Sequence, residues 1–332
     1  LIPYLNKRHL LTDHQYGFRK HCSTNDAIFD LLIQIYDNLD LVGESICLFY
    51  DMTKAFDLLS HKVLVNKLMA MGIRGKPLNW ISTYLRDRRQ VVNVRYTELD
   101  GLTRHYLSSV SPNINTGVPQ GSNLGPVLFI LHVNDLPDSI SEGKVWLFAD
   151  DVSHLIHEKN KESLRNKTQT GLNEMSNWCK ENKLLLNKAK TKALTFYNRK
   201  KPESTPLLRL EGSSVATVDS AKYLGITISS DLRWRQHIDS ISTRLSAVCY
   251  MIRRLQPIVD KDVLLKVYYG CFHSIMIYGV ISWGGSAMAQ RIFLLQKRVI
   301  RIICHEHYLA HCKVLFMQLK ILTLPALFIL EC

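Results

Sequence analysis

The chain lacks the cysteine patterns of disulfide-stapled domains and zinc knuckles. Its eight cysteines are spread singly over 332 residues, and no Cys-x-x-Cys pair occurs. A chain of this length builds a core without disulfides, so we expect reduced thiols. The start has no signal-peptide pattern and no Met, and the last residues are Leu-Glu-Cys. We therefore expect a fragment of a longer intracellular product.

Acidic residues are scarce relative to basic ones, with 29 Asp and Glu against 42 Lys and Arg, which gives a net charge of +13. Such an excess favours a polyanionic partner, nucleic acid first and an acidic membrane surface second. The 46% hydrophobic and 21% charged contents are those of a folded protein, so extensive disorder is not expected. The length predicts about two domains.

Charge is absent from residues 267–290, a stretch long enough to span a bilayer. Gly270, Gly279, Gly284 and Gly285 interrupt it, together with several serines. We therefore prefer a buried helix followed by a glycine turn, and we expect no membrane contact.

Apolar periodicity predicts a mixed α+β body followed by a helical C-terminal part. The run at residues 45–50 is nearly continuous, which is typical of a strand buried on both faces. We expect a basic, irregular segment at 1–23 and a linker at 200–206. The predicted helices are 24–40, 61–72, 77–86, 126–133, 161–182 and most of 234–304. The other predicted strands are 90–96, 102–110, 145–148, 152–157 and 190–198, with further strands up to about 229.

Two acidic motifs suggest metal chemistry. In YDMTKAFD (residues 50–57), Asp51 ends a buried strand, where a carboxylate is costly unless it is paired or binds a metal. In FADD (residues 148–151), a hairpin turn between two strands presents Asp150 and Asp151, whose mutual repulsion a cation would offset. The alternatives are that Asp51 caps the next helix and that residues 148–151 form a solvated acidic turn. If the strands lie side by side, the three carboxylates supply oxygen ligands for the two Mg²⁺ ions of nucleotidyl transfer.

A third motif, TGVPQGSNLGPVLFILHVNDLP, occupies residues 116–137. Gly117, Gly121 and Gly125 allow close backbone approach to a ligand, and Gln120 offers a donor and an acceptor. The alternative is an ordinary Gly/Pro loop before a core helix.

In this order the three motifs resemble the palm of a reverse transcriptase. VPQGS followed by LGP and Asn-Asp-Leu-Pro is characteristic of the non-LTR (LINE-type) retrotransposon branch, jockey-like elements above all. Four more blocks are similar to that family's finger motif, its lysine-bearing motif, its primer-grip hairpin and the Tyr-Gly…Trp-Gly block of its thumb. They are residues 15–24, 182–196, 222–234 and 278–285.

The resemblance implies a right-hand polymerase with fingers and palm at 1–230 and a truncated helical thumb-like region at 231–332. It implies that Asp51, Asp150 and Asp151 are catalytic and hold two Mg²⁺ ions, for which Mn²⁺ can substitute, with help from the Met52 carbonyl. The implied nucleotide contacts are Phe56 as a steric gate, Gln120, Lys190 near the leaving pyrophosphate, and Arg19. We expect Phe56 to begin the helix just after the strand that ends at Asp51, and an ordinary core position is the alternative for it. The residues expected along the nucleic-acid backbone are Lys183, Lys188, Lys192, Arg199, Lys200, Arg244, Arg253 and Arg254. An ordinary solvated helix surface is the alternative for these residues.

The implied partners are an RNA template, a DNA primer and deoxynucleoside triphosphates. We expect a separate endonuclease domain in the full-length product and a nuclear location. A non-catalytic, truncated nucleic-acid-binding remnant is the alternative function, and a group II intron maturase is disfavoured. On a helix, Cys304, His307 and His311 of CHEHYLAHC (residues 304–312) would share a face that could bind zinc. Their spacing fits no familiar zinc knuckle, so a zinc site there is disfavoured.

Overall fold

The computed structural model of the chain describes residues 2–89, 91–97, 104–108, 113–198 and 207–332. The helices are α1 (Ile2–Lys7), α2 (Thr24–Val42), α3 (Ala55–Leu58), α4 (His61–Ala70), α5 (Lys76–Leu85), α6 (Leu124–His132), α7 (Lys161–Glu181), α8 (Arg235–Leu255), α9 (Lys261–Val267), α10 (Ser274–Ile277), α11 (Val280–Trp283), α12 (Ala289–Ile303), α13 (Cys312–Leu319) and α14 (Leu324–Glu331). A π-helical turn, Tyr268–His273, joins α9 to α10, and a 3₁₀ turn spans Pro137–Ser139.

The strands are short apart from those of one sheet. They are β1 (Glu44–Tyr50), β2 (Met52–Thr53), β3 (Arg88–Arg89), β4 (Asn93–Thr97), β5 (Arg104–Ser108), β6 (Asn113–Ile114), β7 (Lys144–Phe148), β8 (Asp151–His157), β9 (Leu185–Leu186), β10 (Lys192–Tyr197), β11 (Arg209–Leu210), β12 (Ser213–Ser214), β13 (Ala216–Val218), β14 (Ser220–Tyr223) and β15 (Ile226–Ser229). The predicted α+β class is confirmed. The strands predicted at 90–96 and 102–110 lie partly outside the described residues.

Local sequence explains the bounds of α2. Ser23 caps its first turn in a capping box with Asp26, and Gly43 ends it in the left-handed conformation with φ 83°. Its apolar face, which includes Ile28 and Ile35, is buried. The helix predicted at 24–40 is confirmed.

The main sheet has the strand order β13-β10-β1-β8-β7, with β1 at its centre. β1 pairs antiparallel with both β10 and β8. Cys47 and Phe49 belong to one hydrophobic core, whereas Ile46 and Leu48 belong to another. This confirms the prediction of a strand buried on both faces.

The two cores lie on opposite faces of this sheet. One contains α2, the β14–β15 hairpin and the C-terminal helices from α8 onwards. The other contains α4 to α7. The first core therefore joins residues on both sides of position 230, and the domain boundary placed there stays a prediction.

One edge of the sheet, along β7, is covered by residues 14–16. The Tyr16 N–H donates to the Leu147 carbonyl, and the Leu147 N–H donates to the His14 carbonyl, both over 2.8 Å. The N-terminal region is thus more ordered than its sequence predicts, and it also contains the short helix α1.

A zinc site at residues 304–312 would need these residues to form a helix, and they do not. α12 ends at Ile303, and residues 304–311 form turns before α13 begins. His305 has a φ of 58°, which breaks the helix, so Cys304, His307 and His311 share no helix face. Helices α13 and α14 extend the helical part beyond the predicted limit at 304.

Residues 267–290 do not form one continuous helix. Gly279, with φ 64°, separates α10 from α11. Within the described ranges, no single helix has both the length and the apolar composition to cross a membrane. Of those described helices, one pair, α13 with α14, meets that criterion together, but it is bent by 54°. The predicted linker at 200–206 lies outside the described residues, which resume at 207.

Candidate active site

The pairing of β1 with β8 brings the two acidic motifs together. Tyr50 lies opposite Val152, so Asp51 and Asp151 occupy the same end of adjacent antiparallel strands. Phe148 pairs with Asp151, which leaves Ala149 and Asp150 as the turn between β7 and β8. We call residues 148–151 the aspartate turn.

The electrostatics of this end of the sheet are those of crowded carboxylates. Partial burial, followed by the negative charges of Asp150 and Asp51, raises the pKa of Asp151. Lys190 Nζ lies 3.5 Å from Asp51 Oδ1 and supplies a positive charge. The chemistry of these oxygen donors fits Mg²⁺. In the part of the chain that the structure describes, however, no three acidic, His or Cys side chains already surround one metal position.

A cavity of about 490 Å³ opens beside Asp51 and Asp151, and we call it the aspartate cavity. Lys190 and Lys192 line it, as does the turn of the β14–β15 hairpin. This hairpin is the segment that resembles a primer grip. The structure therefore brings the lysine-bearing and hairpin motifs to the carboxylates.

Phe56 lies in α3, shortly after the strand that ends at Asp51, as predicted. Its ring stacks on Phe129 with centroids 4.3 Å apart and contacts Phe18 edge-on at 6.5 Å. The side chain is half-buried. Both the steric-gate and the core interpretations are compatible with this packing.

Gln120 is exposed, and its Nε2 donates to Asp57 Oδ1 over 3.0 Å. Both residues line a second cavity of about 520 Å³, together with Arg88 and Arg89. These two arginines were not among the predicted site residues. The sequence signal available for them was a pair of adjacent arginines just before the strand predicted at 90–96.

Arg19 is not brought to the aspartate cavity. Its Nη1 donates to the Thr12 carbonyl over 2.6 Å and lies 3.6 Å from Asp13 Oδ1. It lines a separate cavity near α1. Its contact with a nucleotide stays a prediction.

The predicted backbone-binding residues differ in their surroundings. Lys188 pairs with Glu211 over 2.7 Å, whereas Lys183 is exposed near the carboxyl end of α7. The three predicted arginines of α8 are also exposed, namely Arg244, Arg253 and Arg254. Arg199 and Lys200 lie outside the described residues.

Met52 follows Asp51 directly and is buried in β2, which pairs with β9. The Asp51 carbonyl accepts a hydrogen bond from the Asn187 N–H over 2.8 Å. These contacts fix the backbone on the carboxyl side of Asp51. Assistance of a metal by the Met52 carbonyl stays a prediction.

Comparison with known proteins identifies the family. Residues 1–228 match the profile described as reverse transcriptase (RNA-dependent DNA polymerase). The probable RNA-directed DNA polymerase from transposon BS of Drosophila melanogaster is 29% identical over 97% of this chain and 36% of its own length. The RNA-directed DNA polymerase from mobile element jockey of the same species is 26% identical over 87% of this chain and 31% of its own length.

Among solved structures, the telomerase of Candida albicans with a fragment of telomeric RNA is similar over 96% of this chain and 56% of that chain. Its TM-score is 0.43 and its identity 14%. The chain spans about a third of the length of the curated relatives above. Those relatives confirm the resemblance to non-LTR retrotransposon enzymes. Since the family match covers more than half of the 332 residues, the chain belongs to the reverse transcriptase (RNA-dependent DNA polymerase) family.

Proposed function

We propose that the chain is the RNA-directed DNA polymerase core of a non-LTR retrotransposon protein, which adds deoxynucleotides to a primer 3′-hydroxyl on an RNA template. The observation that carries this proposal is the convergence of Asp51 with Asp150 and Asp151 at one end of β1 and β8. The adjoining cavity, with its lysines and hairpin turn, supports it.

Asp51, Asp150 and Asp151 would hold two Mg²⁺ ions, for which Mn²⁺ can substitute, with the Met52 carbonyl assisting. When bound, such ions activate the attacking hydroxyl and neutralise the phosphate charge. Beside partial burial, the negative charges of Asp150 and Asp51 raise the pKa of Asp151, and a bound cation would offset this repulsion, which supports the assignment.

The remaining residues would bind and orient the substrates. Phe56 would lie beneath the sugar of the incoming nucleotide, and Gln120 would contact that nucleotide. Lys190 would leave Asp51 and pair with the departing pyrophosphate. The exposed arginines of α8 would follow the nucleic-acid backbone.

For the whole protein, we propose a nuclear location and a separate endonuclease domain. Within this chain, residues 1–230 would form the fingers and palm, and 231–332 the thumb-like region. A non-catalytic nucleic-acid-binding remnant is the second candidate function. The observation that favours it is the ion pair between Lys190 and Asp51, which engages one of the three carboxylates with a side chain.

Primer extension on poly(rA)/oligo(dT) tests the proposal. We expect Asp150→Asn to abolish extension while template binding persists, because binding rests on distant basic residues. Asp138→Asn is the matched control, since Asp138 is an exposed aspartate in the 3₁₀ turn. Extension by Asp150→Asn at the wild-type rate would contradict the assignment. Salt-sensitive binding without any wild-type extension would favour the remnant.

A further inference from the structure

The segment at residues 14–17 lies along β7 and reaches the aspartate turn. Its backbone pairs with Leu147 on both sides of Gln15, and the His14 ring donates through Nδ1 to the Val145 carbonyl over 2.7 Å. We call these four residues the edge segment. It pairs with the strand that leads directly into Asp150 and Asp151.

Gln15 joins the edge segment to the aspartate turn. Its side chain is buried, with 1% of the residue exposed. Its Oε1 accepts hydrogen bonds from the Gly17 N–H over 2.7 Å and from the Ala149 N–H over 3.1 Å. One carboxamide oxygen therefore fixes the backbone amide of the residue that precedes Asp150.

The fixed residue is conformationally strained. Ala149 has a φ of 56°, a conformation that residues other than glycine rarely adopt. Such a conformation persists only where the surrounding structure holds it. The hydrogen bond from Ala149 to Gln15 is one of the contacts that hold it.

Gly17 allows the backbones to approach this closely. A Cβ atom at this position would lie 2.5 Å from the Ala149 nitrogen and 3.0 Å from the Phe148 carbonyl carbon. No side chain fits there without movement of the turn. The edge segment and the aspartate turn are therefore matched in shape as well as by hydrogen bonds.

A second set of contacts fixes the edge segment from the other side. Asp30 Oδ2 accepts from the Tyr16 hydroxyl over 2.9 Å and from Trp146 Nε1 over 2.6 Å. These bonds tie the segment to α2 and β7 without touching the turn. Tyr16 thus provides a control position for general loss of docking.

We propose that Gln15 is a positioning residue, whose carboxamide oxygen holds the aspartate turn so that Asp150 is presented to the metal. This inference rests on the proposed function. Loss of the oxygen acceptor is expected to weaken metal binding and turnover, while primer–template affinity stays unchanged. Groups that orient metal ligands typically alter metal affinity or activity by about 10- to 100-fold.

The test variant is Gln15→Met, which keeps the side-chain length but has no oxygen acceptor. It is compared with Gln15→Glu, which keeps the acceptor, and with Tyr16→Phe, which controls for loss of docking. Mn²⁺ affinity is measured by electron paramagnetic resonance without nucleotide, and kcat and KM by primer extension. We expect Gln15→Met to lose about tenfold in Mn²⁺ affinity and in kcat. Gln15→Glu should recover most of both, and Tyr16→Phe should lower only thermal stability.

Two outcomes would overturn the inference. Wild-type Mn²⁺ affinity and kcat in folded Gln15→Met would remove Gln15 from this role. Equal losses of Mn²⁺ affinity and kcat in Gln15→Met and Tyr16→Phe would mean that both changes act only by loosening the edge segment from β7. If the wild-type chain neither binds Mn²⁺ nor extends a primer, the proposed function itself fails, which distinguishes that failure from the other two.

Discussion

The hydroxyl of Tyr278 donates a hydrogen bond to the carbonyl oxygen of Leu224 over 2.5 Å. Leu224 and Gly225 form the turn of the β14–β15 hairpin, with φ values of 42° and 87°. A Cβ on Gly225 would lie 3.1 Å from the Tyr278 ring, so a glycine favours this close packing. A residue of the C-terminal helical part thereby holds a turn that lines the aspartate cavity.

We expect Tyr278→Phe to weaken primer–template use more than chemistry. Loss of one hydrogen bond costs about 1 kcal/mol, so KM for primer–template should rise about fivefold with kcat nearly unchanged. Steady-state primer extension measures both constants. Tyr250→Phe, at an exposed position on α8, is the control and should change neither. A fall in kcat alone would contradict the expectation.

Phe56→Val separates the steric-gate interpretation from the core interpretation. The gate predicts much better use of ribonucleotides with a moderate loss for deoxynucleotides, because a 2′-hydroxyl no longer meets the ring. The removed contact with Phe129 should cost about 1–3 kcal/mol of stability in either case. Single-nucleotide incorporation with paired sugars measures the ratio. Leu58→Ala in the same short helix is the control, and an unchanged ratio in folded Phe56→Val would leave Phe56 as a core residue.

Lys190→Met should act in opposite directions on metal binding and on turnover. Without the competing ammonium near Asp51, Mn²⁺ affinity should rise about two- to fivefold, since exposed ion pairs contribute at most about 1 kcal/mol. Extension should slow because the pyrophosphate loses a cation. Lys180→Met is the matched control, because Lys180 pairs with Glu211 instead. A weaker Mn²⁺ affinity in Lys190→Met would contradict this account.

Buried His154 should make the fold sensitive to acid. Its Nε2 lies 2.5 Å from the Glu142 carbonyl and its Nδ1 lies 3.4 Å from the Tyr50 hydroxyl, an arrangement that suits the neutral ring. Burial lowers the pKa of His154 to about 4. Because the unfolded chain binds the proton first, this stability is present above about pH 6.5 and is lost as the pH falls towards 4.

Urea unfolding at pH 7 and at pH 4.5 measures this loss. The contribution of His154 is at most about 3 kcal/mol. His154→Gln should therefore show a smaller fall in unfolding free energy between the two pH values than the wild type. His132 and His237, whose pKa values burial also lowers to about 4, remain in both proteins. Equal falls in both proteins would exclude His154 as a source of the acid sensitivity.

Local pattern predicted the elements whose form depends on neighbouring residues. The periodic apolar residues of α2 predict its buried face, and the continuous apolar run of β1 predicts burial on both of its faces. Contacts between distant segments were not predictable in this way. Nothing near Gln15 in the sequence indicates that it meets Ala149, and nothing near Arg19 indicates that it bonds to its own loop. The end of α12 at Ile303 agrees with the predicted limit of the helical region at 304, whereas α13 and α14 beyond that limit were not predicted.

The covered edge of β7 also bears on how the chain avoids aggregation. An uncovered edge strand is a template for pairing with another molecule. The residues that cover it are separated from β7 by 131 positions along the chain, as for His14 and Val145, and contacts this distant form slowly. A folding intermediate with the sheet assembled but the edge segment undocked would expose β7 to intermolecular pairing. The same docking that shapes the aspartate turn would then also protect the nascent protein from self-association.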